Sequence, residues 1–238
     1  MWNPTTRESR RIPRPNWSTS TERMRGSYNF CYLPCIDSYK ILRRGPKAAN
    51  SIMEDMTVDI SSTKSNTWKS IDPFPPNCRY FSYRNIVMAD GVVYMMQLRK
   101  NMINRTILCF CMEKEQIQEE LLHPHKTEGA GSVLCGVGEK LGVTIIILGD
   151  NHRTLEYWLY SMETNLWNKI LTISCPNNNN LRHLSFMKDR EVLFRKDNNN
   201  SGFMAYNSTT QKLEQVNVAG IEGLYFSNFV TYVESVLS

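Results

Sequence analysis

One sequence pattern appears first at residues 60–71, as Ile60-Ser61-Ser62-Thr63-Lys64-Ser65-Asn66-Thr67-Trp68-Lys69-Ser70-Ile71, and again at 160–170, around Trp167. Weaker copies lie at 110–117 and 206–216. In each copy, apolar residues flank a polar run, which is the signal for two strands joined by a turn. The copies recur roughly every 50 residues, a period typical of kelch-like propeller blades.

A second hairpin is predicted before the outer one. Asp90-Gly91, between apolar runs, is a strong two-residue turn signal, and residues 186–194 have the same shape around a less ideal turn. Each unit is therefore predicted to hold two inner strands, a connector and two outer strands. Because one such four-stranded antiparallel blade cannot bury both faces, blades must stack. The predicted fold is an all-β, kelch-like β-propeller, and an unspecified all-β sandwich is the alternative.

Composition suits a single all-β domain covering 1–238, since 41% of the 238 residues are hydrophobic and 11% aromatic. The net charge is +5, and the N-terminal 47 residues hold ten Lys or Arg against three acidic residues. A basic stretch of this kind can contact nucleic acid, but it lacks a compact basic block, so we expect a solvated surface and no nucleic-acid partner. Neither a signal peptide nor a membrane-spanning run is recognisable. We expect an intracellular protein of the cytosol and/or nucleus that does not bind membranes.

No cofactor, metal or catalytic site is expected. His123-Pro124-His125 is the only close histidine pair, and it lies apart from any Cys-X-X-Cys clamp. The glycine-rich segments at 129–131 and 136–142 match neither a dinucleotide-binding loop nor a P-loop, and no nucleophile elbow occurs. The two glycine-rich segments are interpreted as turns around a strand at 132–135.

Charged and sulfur-bearing residues have structural interpretations as well. Glu113, Glu115, Glu119 and Glu120 form an acidic cluster, in which the first two fall in a predicted hairpin turn and are interpreted as solvated charge. The odd number of cysteines in an intracellular chain favours buried free thiols over disulfides. The seven cysteines are Cys31, Cys35, Cys78, Cys109, Cys111, Cys135 and Cys175.

Seven motifs, in order along nearly the whole chain, resemble those of the plant F-box-associated domain. They are Trp2-Asn3-Pro4-Thr5-Thr6-Arg7-Glu8 with Arg11-Ile12-Pro13, Tyr28-Asn29-Phe30 with Asp37-Ser38-Tyr39-Lys40-Ile41-Leu42, Asn66-Thr67-Trp68-Lys69-Ser70-Ile71, Ala89-Asp90-Gly91-Val92-Val93-Tyr94, Ile107-Leu108-Cys109-Phe110, Glu156-Tyr157-Trp158-Leu159-Tyr160 with Trp167-Asn168-Lys169, and Tyr232-Val233-Glu234-Ser235-Val236-Leu237. Each motif alone is weakly specific, but the ordered set is specific. Phe110-Cys111 departs from the family's Phe-Asp, at a packing position.

The resemblance implies a non-catalytic protein–protein interaction module. Members of this family recognise a target protein for ubiquitination, as the substrate receptor of an SCF-type ubiquitin ligase. An F-box docks such receptors on a Skp-type adaptor, and this chain begins within the domain's first signature. We therefore expect no F-box within 1–238, a propeller incomplete at its N-terminus, and adaptor binding only if an F-box lies upstream.

Rigid propellers carry recognition on the loops between strands. The long polar connectors at 16–27, 45–50, 122–131 and 177–183 are the candidate recognition segments, with the target and the individual contact residues undetermined. Trp68, Trp158 and Trp167 are expected in the core. The alternative functions are an F-box-less decoy or pseudogene-like binding module, a propeller enzyme of the sugar-active or oxidase type, and a nucleic-acid binder.

Overall fold

A computed structural model describes the chain at residue 11 and at residues 27–46, 56–71, 86–98, 105–124, 131–138, 140–176, 181–186, 191–196 and 202–216. The chain divides into two compact units, of which the first holds the strands up to residue 122 and the second those from residue 131. Each unit contains two four-stranded sheets. The N-terminal stretch expected to leave the propeller incomplete lies outside the described residues, except for Arg11.

Among its described residues, the first unit has eight strands and one turn of 3-10 helix, Pro34–Ile36. Its strands are β1 (Ser27–Leu33), β2 (Ser38–Pro46), β3 (Met56–Ser62), β4 (Trp68–Ile71), β5 (Ile86–Ala89), β6 (Val92–Leu98), β7 (Arg105–Cys111) and β8 (Gln116–Leu122). They form sheets in the order β1-β2-β3-β4 and β5-β6-β7-β8.

In the second unit, the described residues form eight further strands. They are β9 (Gly131–Val137), β10 (Lys140–Leu148), β11 (His152–Ser161), β12 (Leu166–Pro176), β13 (Leu181–Phe186), β14 (Glu191–Lys196), β15 (Gly202–Asn207) and β16 (Lys212–Val216). They form sheets in the order β9-β10-β11-β12 and β13-β14-β15-β16, and every described pairing in both units is antiparallel.

The sequence repeat corresponds to a repeated structural unit, one hairpin in each of the four sheets. All four copies of the Trp68 pattern are the outer hairpin of a sheet, namely β3–β4, β7–β8, β11–β12 and β15–β16. The first strands of the four sheets begin at residues 27, 86, 131 and 181, close to the predicted spacing. The predicted all-β class and four-stranded antiparallel blades are confirmed. So is the Asp90-Gly91 hairpin, where both residues have positive φ, 47° and 69°.

In the first unit the core lies between the two sheets. Leu42, Val58 and Ile60 of the first sheet pack in one cluster with Leu108 and Phe110 of the second. All five side chains are almost fully buried. Because side chains alternate along a strand, this cluster uses only one face of the first sheet, and the residues between its members point to the other face.

The second unit repeats this arrangement with different residues. Leu155, Tyr157 and Ile173 of the β9–β12 sheet pack against Val192 and Phe194 of the β13–β16 sheet. Burial raises the pKa of the Tyr157 hydroxyl well above its ordinary value. Large apolar side chains on both sheets thus supply the stacking that a single blade needs.

The four outer hairpins share one backbone feature, a residue with positive φ in the turn. Asn66, Glu115, Asn165 and Gln211 stand near the end of the four turns, with φ of 54°, 54°, 54° and 55°. Only glycine, asparagine and aspartate adopt this left-handed conformation readily. The asparagines suit it, whereas Glu115 and Gln211 occupy it at a cost.

We expect Gln211→Asn to stabilise the second unit by about 0.5 kcal/mol, because asparagine tolerates positive φ better than glutamine does. The opposite substitution at the equivalent position of another turn, Asn165→Gln, should destabilise the second unit by more than about 0.5 kcal/mol. Asn165 also accepts a hydrogen bond of 3.2 Å from the Tyr160 hydroxyl through its Oδ1 atom. Urea denaturation of the two variants measures both effects, and equal midpoints for Gln211→Asn and the unchanged chain would contradict this account of the turn.

Candidate recognition surface

The connectors predicted as recognition segments lie mostly outside the described residues. Of the segment 16–27 only residue 27 is described, and of 45–50 only the backbone at 45–46, which belongs to β2. Residues 122–124 and 131 are described from 122–131, and the backbone at 181–183 from 177–183. These segments therefore stay predictions, and the candidate surface within the described residues lies on strands.

Three exposed aromatic side chains line the first strand. Tyr28, Phe30 and Tyr32 are 38%, 56% and 37% exposed. They alternate along β1 and so point to the same side of the sheet. Cys31 and Leu33, between and beyond them, point into the core. Exposed aromatic rings in a row are typical of protein-binding surfaces, because a ring buries a large area at a small entropy cost.

Two further rings extend this row across the sheet. Tyr39 on β2 stands opposite Tyr32, with ring centroids 5.2 Å apart. Trp68 on β4 meets Tyr28 edge-on, with centroids 6.5 Å apart. We call this surface, formed by Tyr28, Phe30, Tyr32, Tyr39 and Trp68, the aromatic face.

A buried ion pair lies under the aromatic face. Arg43 pairs with Tyr28 on one side and Asp59 on the other in the register of the sheet. The Arg43 Nη1 atom donates to Asp59 Oδ2 at 2.9 Å, and the two side chains are 2% and 1% exposed. Ser70 Oγ donates to the second oxygen of Asp59 at 2.7 Å. Since Tyr28 and Trp68 come from the first and last strands, their contact spans the middle of the sheet, on the same face as this pair.

The end of the aromatic face is fixed by a hydrogen bond. The Tyr32 hydroxyl donates to Asp37 Oδ1 at 2.6 Å, and this bond raises the pKa of Tyr32. Asp37 ends the 3-10 turn with φ of 44°, which aspartate tolerates. The turn thus orients the ring of Tyr32 while leaving its edge exposed.

The tryptophans are not core residues, so that expectation is wrong. Trp68, Trp158 and Trp167 are half-buried. The Trp167 ring packs at a tilt against Tyr160, with ring centroids 5.2 Å apart, and the Lys169 Nζ atom lies 5.5 Å from the ring centre of Trp158. Each of the three tryptophans lies on an outer hairpin and contacts a residue of its own sheet.

Glu115 is also not the solvated charge that the sequence suggested. Its Oε1 atom accepts from Lys40 Nζ of the first sheet at 2.9 Å and its Oε2 atom accepts from Lys69 Nζ, also at 2.9 Å. Lys40 Nζ also donates to the carbonyls of Met112 and Glu113, at 2.8 and 3.1 Å. The Lys40 side chain therefore supplies hydrogen bonds to the carbonyls of the β7–β8 turn and links this turn to the neighbouring sheet. Glu113 is exposed, as expected.

The described cysteines fit the interpretation as buried thiols, with one exception. Cys31, Cys109, Cys111, Cys135 and Cys175 are buried and free, and Cys35 is free but exposed. Burial raises the pKa of Cys109 to about 12 and those of Cys31 and Cys135 to about 11. Cys78 lies outside the described residues.

Alkylation at pH 8 should therefore separate Cys35 from Cys109 and Cys135. A thiol whose pKa is raised stays protonated until the pH approaches that value, and only the thiolate reacts. We expect iodoacetamide to label Cys35 in the native chain and to label Cys109 and Cys135 only in urea, as mapped by peptide mass spectrometry. Equal labelling of all three in the native chain would show that the thiols are not shielded.

Within the described ranges, no three His, Cys, Asp or Glu side chains converge to hold a metal ion. His123 is buried at the end of β8, and His125 is outside those ranges. The same part of the chain has no helix long and apolar enough to cross a bilayer.

The aromatic face could not be predicted as a unit from the sequence. Tyr28, Phe30 and Tyr32 alternate in a way that signals a strand, but alternation does not say which face is buried. Trp68 lies 40 positions from Tyr28 in the chain. Only the register of four strands brings the two rings together.

One known protein family matches this chain over its whole length. The family model described as the F-box associated beta propeller domain matches residues 1–238. Among solved structures, the β-propeller domain of the Trilobed protease from Pyrococcus furiosus, described as having an open velcro topology, is 11% identical with a TM-score of 0.49, over 80% of this chain and 57% of that one. The exo-β-1,3-galactanase 1,3Gal43A from Clostridium thermocellum is 11% identical with a TM-score of 0.43, over 79% of this chain and 48% of that one. This chain thus spans about half the length of these two structures. Among curated proteins, none matches.

Proposed function

The chain belongs to the F-box associated beta propeller domain family, and on that premise we propose that it recognises a target protein for an SCF-type ubiquitin ligase. The observation that carries the proposal is the family match over the whole chain. The proposed place of action is the cytosol or nucleus. Its proposed role is binding, with the chemistry of ubiquitin transfer done by other subunits.

The aromatic face supports this role. It offers exposed rings of Tyr28, Phe30 and Tyr32 above a buried ion pair, on a sheet whose other face is packed. Tyrosine, tryptophan and phenylalanine dominate the binding energy of protein interfaces. A rigid sheet presents them without ordering a loop, so little entropy is lost on binding.

The proposal is tested by attaching an F-box upstream of the chain and expressing the fusion in cells. We expect the abundance of a small set of proteins to fall, and to recover when the proteasome is inhibited. If no protein responds in this way while the fusion binds its Skp-type adaptor, the chain is not a target-recognition module for a ligase. The same chain without the attached F-box separates a receptor from a decoy, because a decoy protects the targets instead of depleting them.

The aromatic face is tested in the same cells. Phe30→Ser should abolish depletion of the targets, since Phe30 is the most exposed ring of the face, at 56%. Leu122→Ser is the matched control, because Leu122 is 72% exposed at the end of β8 and is not part of the aromatic face. Depletion that survives Phe30→Ser would assign recognition to another surface and leave the ligase role in place.

A further inference from the structure

The third sheet holds a contact of three groups, an aromatic ring, a carboxylate and a cation. The Trp158 Nε1–H group donates to Glu156 Oε2 at 3.1 Å, and the Lys169 Nζ atom donates to Glu156 Oε1 at 3.0 Å. The same Nζ atom lies 5.5 Å from the ring centre of Trp158. The carboxylate thus bonds to the edge of a ring with one oxygen and holds a cation over that ring with the other.

The first sheet has two of these three groups at the end of the aromatic face. The Tyr32 hydroxyl donates to Asp37 Oδ1 at 2.6 Å, as the Trp158 ring donates to its carboxylate. The residue opposite Trp158 in the register is Lys169, whereas the residue opposite Tyr32 is Tyr39. Within the described part of the chain, no basic side chain forms an ion pair with Asp37. The ring and the carboxylate are both exposed, so a cation from outside the chain can reach them.

We propose that the Tyr32 ring and the Asp37 carboxylate bind an arginine side chain of the target protein. Its guanidinium group lies over the exposed ring and donates to Asp37 Oδ2, as Lys169 lies over Trp158 and donates to Glu156. The face of an aromatic ring attracts a cation, and arginine adds a flat shape and several N–H donors that match a carboxylate. The inference rests on the proposed recognition role of the aromatic face and specifies one residue that the target must carry.

The spacing of the rings favours a flat cation. Phe30 and Tyr32 are two residues apart on β1 and point to the same side, so their Cα atoms lie about 6.6–6.8 Å apart. This spacing is about twice the 3.5 Å contact distance between carbon atoms, which matches one flat group between two rings. A guanidinium group is flat, whereas the ammonium group of lysine is a compact charge. The ring row therefore favours arginine over lysine.

The charges around this end of the aromatic face also select a cation. Arg43 and Asp59 pair with each other and are buried, and the Lys64 Nζ atom donates to the carbonyl of Ile36. An anion over the Tyr32 ring meets repulsion from the negative face of the ring and from the neighbouring carboxylate, whereas a cation is attracted by both. The ten Lys and Arg of residues 1–47 oppose a strongly basic partner at long range. The expected partner is therefore a single arginine in a segment that is otherwise neutral or acidic.

The test starts from a library of random nine-residue peptides displayed on phage and selected on the full chain. Peptides that also bind the Phe30→Ser variant are discarded, so that those kept depend on the aromatic face. We expect the remaining peptides to be enriched in arginine. The same selection on the Asp37→Asn variant should show no enrichment of arginine.

Asp37→Asn removes the charge of the site and keeps its shape. Asparagine tolerates the φ of 44° at this position, and its amide oxygen can still accept from Tyr32. We expect Asp37→Asn to weaken the binding of a selected synthetic peptide about fivefold, as measured by titration calorimetry. Asp90→Asn is the matched control, because Asp90 is an exposed aspartate with φ of 47° in the β5–β6 turn and is not part of the aromatic face. It should leave the affinity unchanged.

A change in the peptide completes the comparison. Citrulline has the flat shape of arginine without its charge, so a peptide with citrulline in place of arginine should bind the unchanged chain about tenfold more weakly. On Asp37→Asn the same replacement should weaken binding only about twofold, because the carboxylate no longer contributes. Unchanged circular dichroism establishes that each variant folds. If Asp37→Asn does not fold, Tyr32→Leu takes its place and should weaken the arginine peptide about fivefold.

Four results would overturn the proposal. They are a library that yields no peptide dependent on Phe30, selected peptides that lack arginine, an equal effect of citrulline on the unchanged chain and on Asp37→Asn, and self-association of the chain that Asp37→Asn abolishes. The last result would assign the arginine to a second copy. None of them touches the ligase role, which is decided by target depletion in cells.

Discussion

Asp59→Asn should lower the stability of the first unit by about 3–5 kcal/mol, because it removes the carboxylate charge that faces the buried Arg43 guanidinium. The change keeps the shape of the side chain and removes its charge. Arg43 and Asp59 are 2% and 1% exposed, so water cannot take the place of the carboxylate. A urea titration followed by tryptophan fluorescence measures the loss, and Trp68, above the pair, reports on this sheet.

The control for Asp59→Asn replaces both members of the pair. Arg43→Met combined with Asp59→Leu removes both charges, and an apolar pair of similar volume is often as stable as the ion pair it replaces. We expect the double variant to be more stable than Asp59→Asn alone. A loss below about 1 kcal/mol for Asp59→Asn would mean that water reaches Arg43 in the folded chain.

Lys40→Met should cost about 3 kcal/mol. It removes a buried ammonium group that donates to two carbonyls of the β7–β8 turn and to Glu115. Those acceptors lose their donor while the methionine fills only the volume of the stem. The first unit should therefore unfold at a lower urea concentration, as measured by far-ultraviolet circular dichroism.

Lys69→Met is the matched control, because Lys69 binds the same carboxylate from a side chain that is 69% exposed. An exposed ion pair contributes less than about 1 kcal/mol, so this variant should be near the unchanged chain. Similar losses for the two lysines would show that the carboxylate, and not the turn carbonyls, accounts for the effect of Lys40.

The effect of Lys40→Met should also depend on pH. Burial alone would raise the pKa of Glu115, but hydrogen bonds from Lys40 and Lys69 outweigh it and leave the pKa below the ordinary value of 4.5. A carboxylate with a lowered pKa stabilises the fold above its ordinary value, and that stabilisation is lost as the pH falls through the lowered one. The difference between Lys40→Met and the unchanged chain should therefore shrink below pH 4.5. A constant difference down to acid unfolding would contradict this.

The features that could be predicted from the sequence are those that depend on residues close together in the chain. Asp90-Gly91 carries its turn conformation in two residues, and Trp68 and Trp167 recur because each blade repeats one hairpin. Turn chemistry and strand alternation are local, so they can be read without knowing which strands meet.

What the sequence missed depends on residues far apart. Lys40 and Glu115 are 75 positions apart, and nothing near either one indicates the other. The same holds for the tryptophans, since a half-buried ring and a core ring have the same sequence signature. Tyr32 and Asp37 are only five positions apart, but whether their contact lies on an exposed face depends on the pairing of four strands.

The bond from Lys40 into the β7–β8 turn has a consequence for motion. Blades in a stacked array usually open one at a time, since each is held mainly by its two neighbours. Here Lys40, in the first sheet, donates hydrogen bonds to two carbonyls of the β7–β8 turn in the second sheet. The turn therefore cannot open without breaking the bonds to the lysine. The first two blades should then behave as a single foldon, with amides at 105–122 and 38–46 exchanging at a common rate set by one shared opening event.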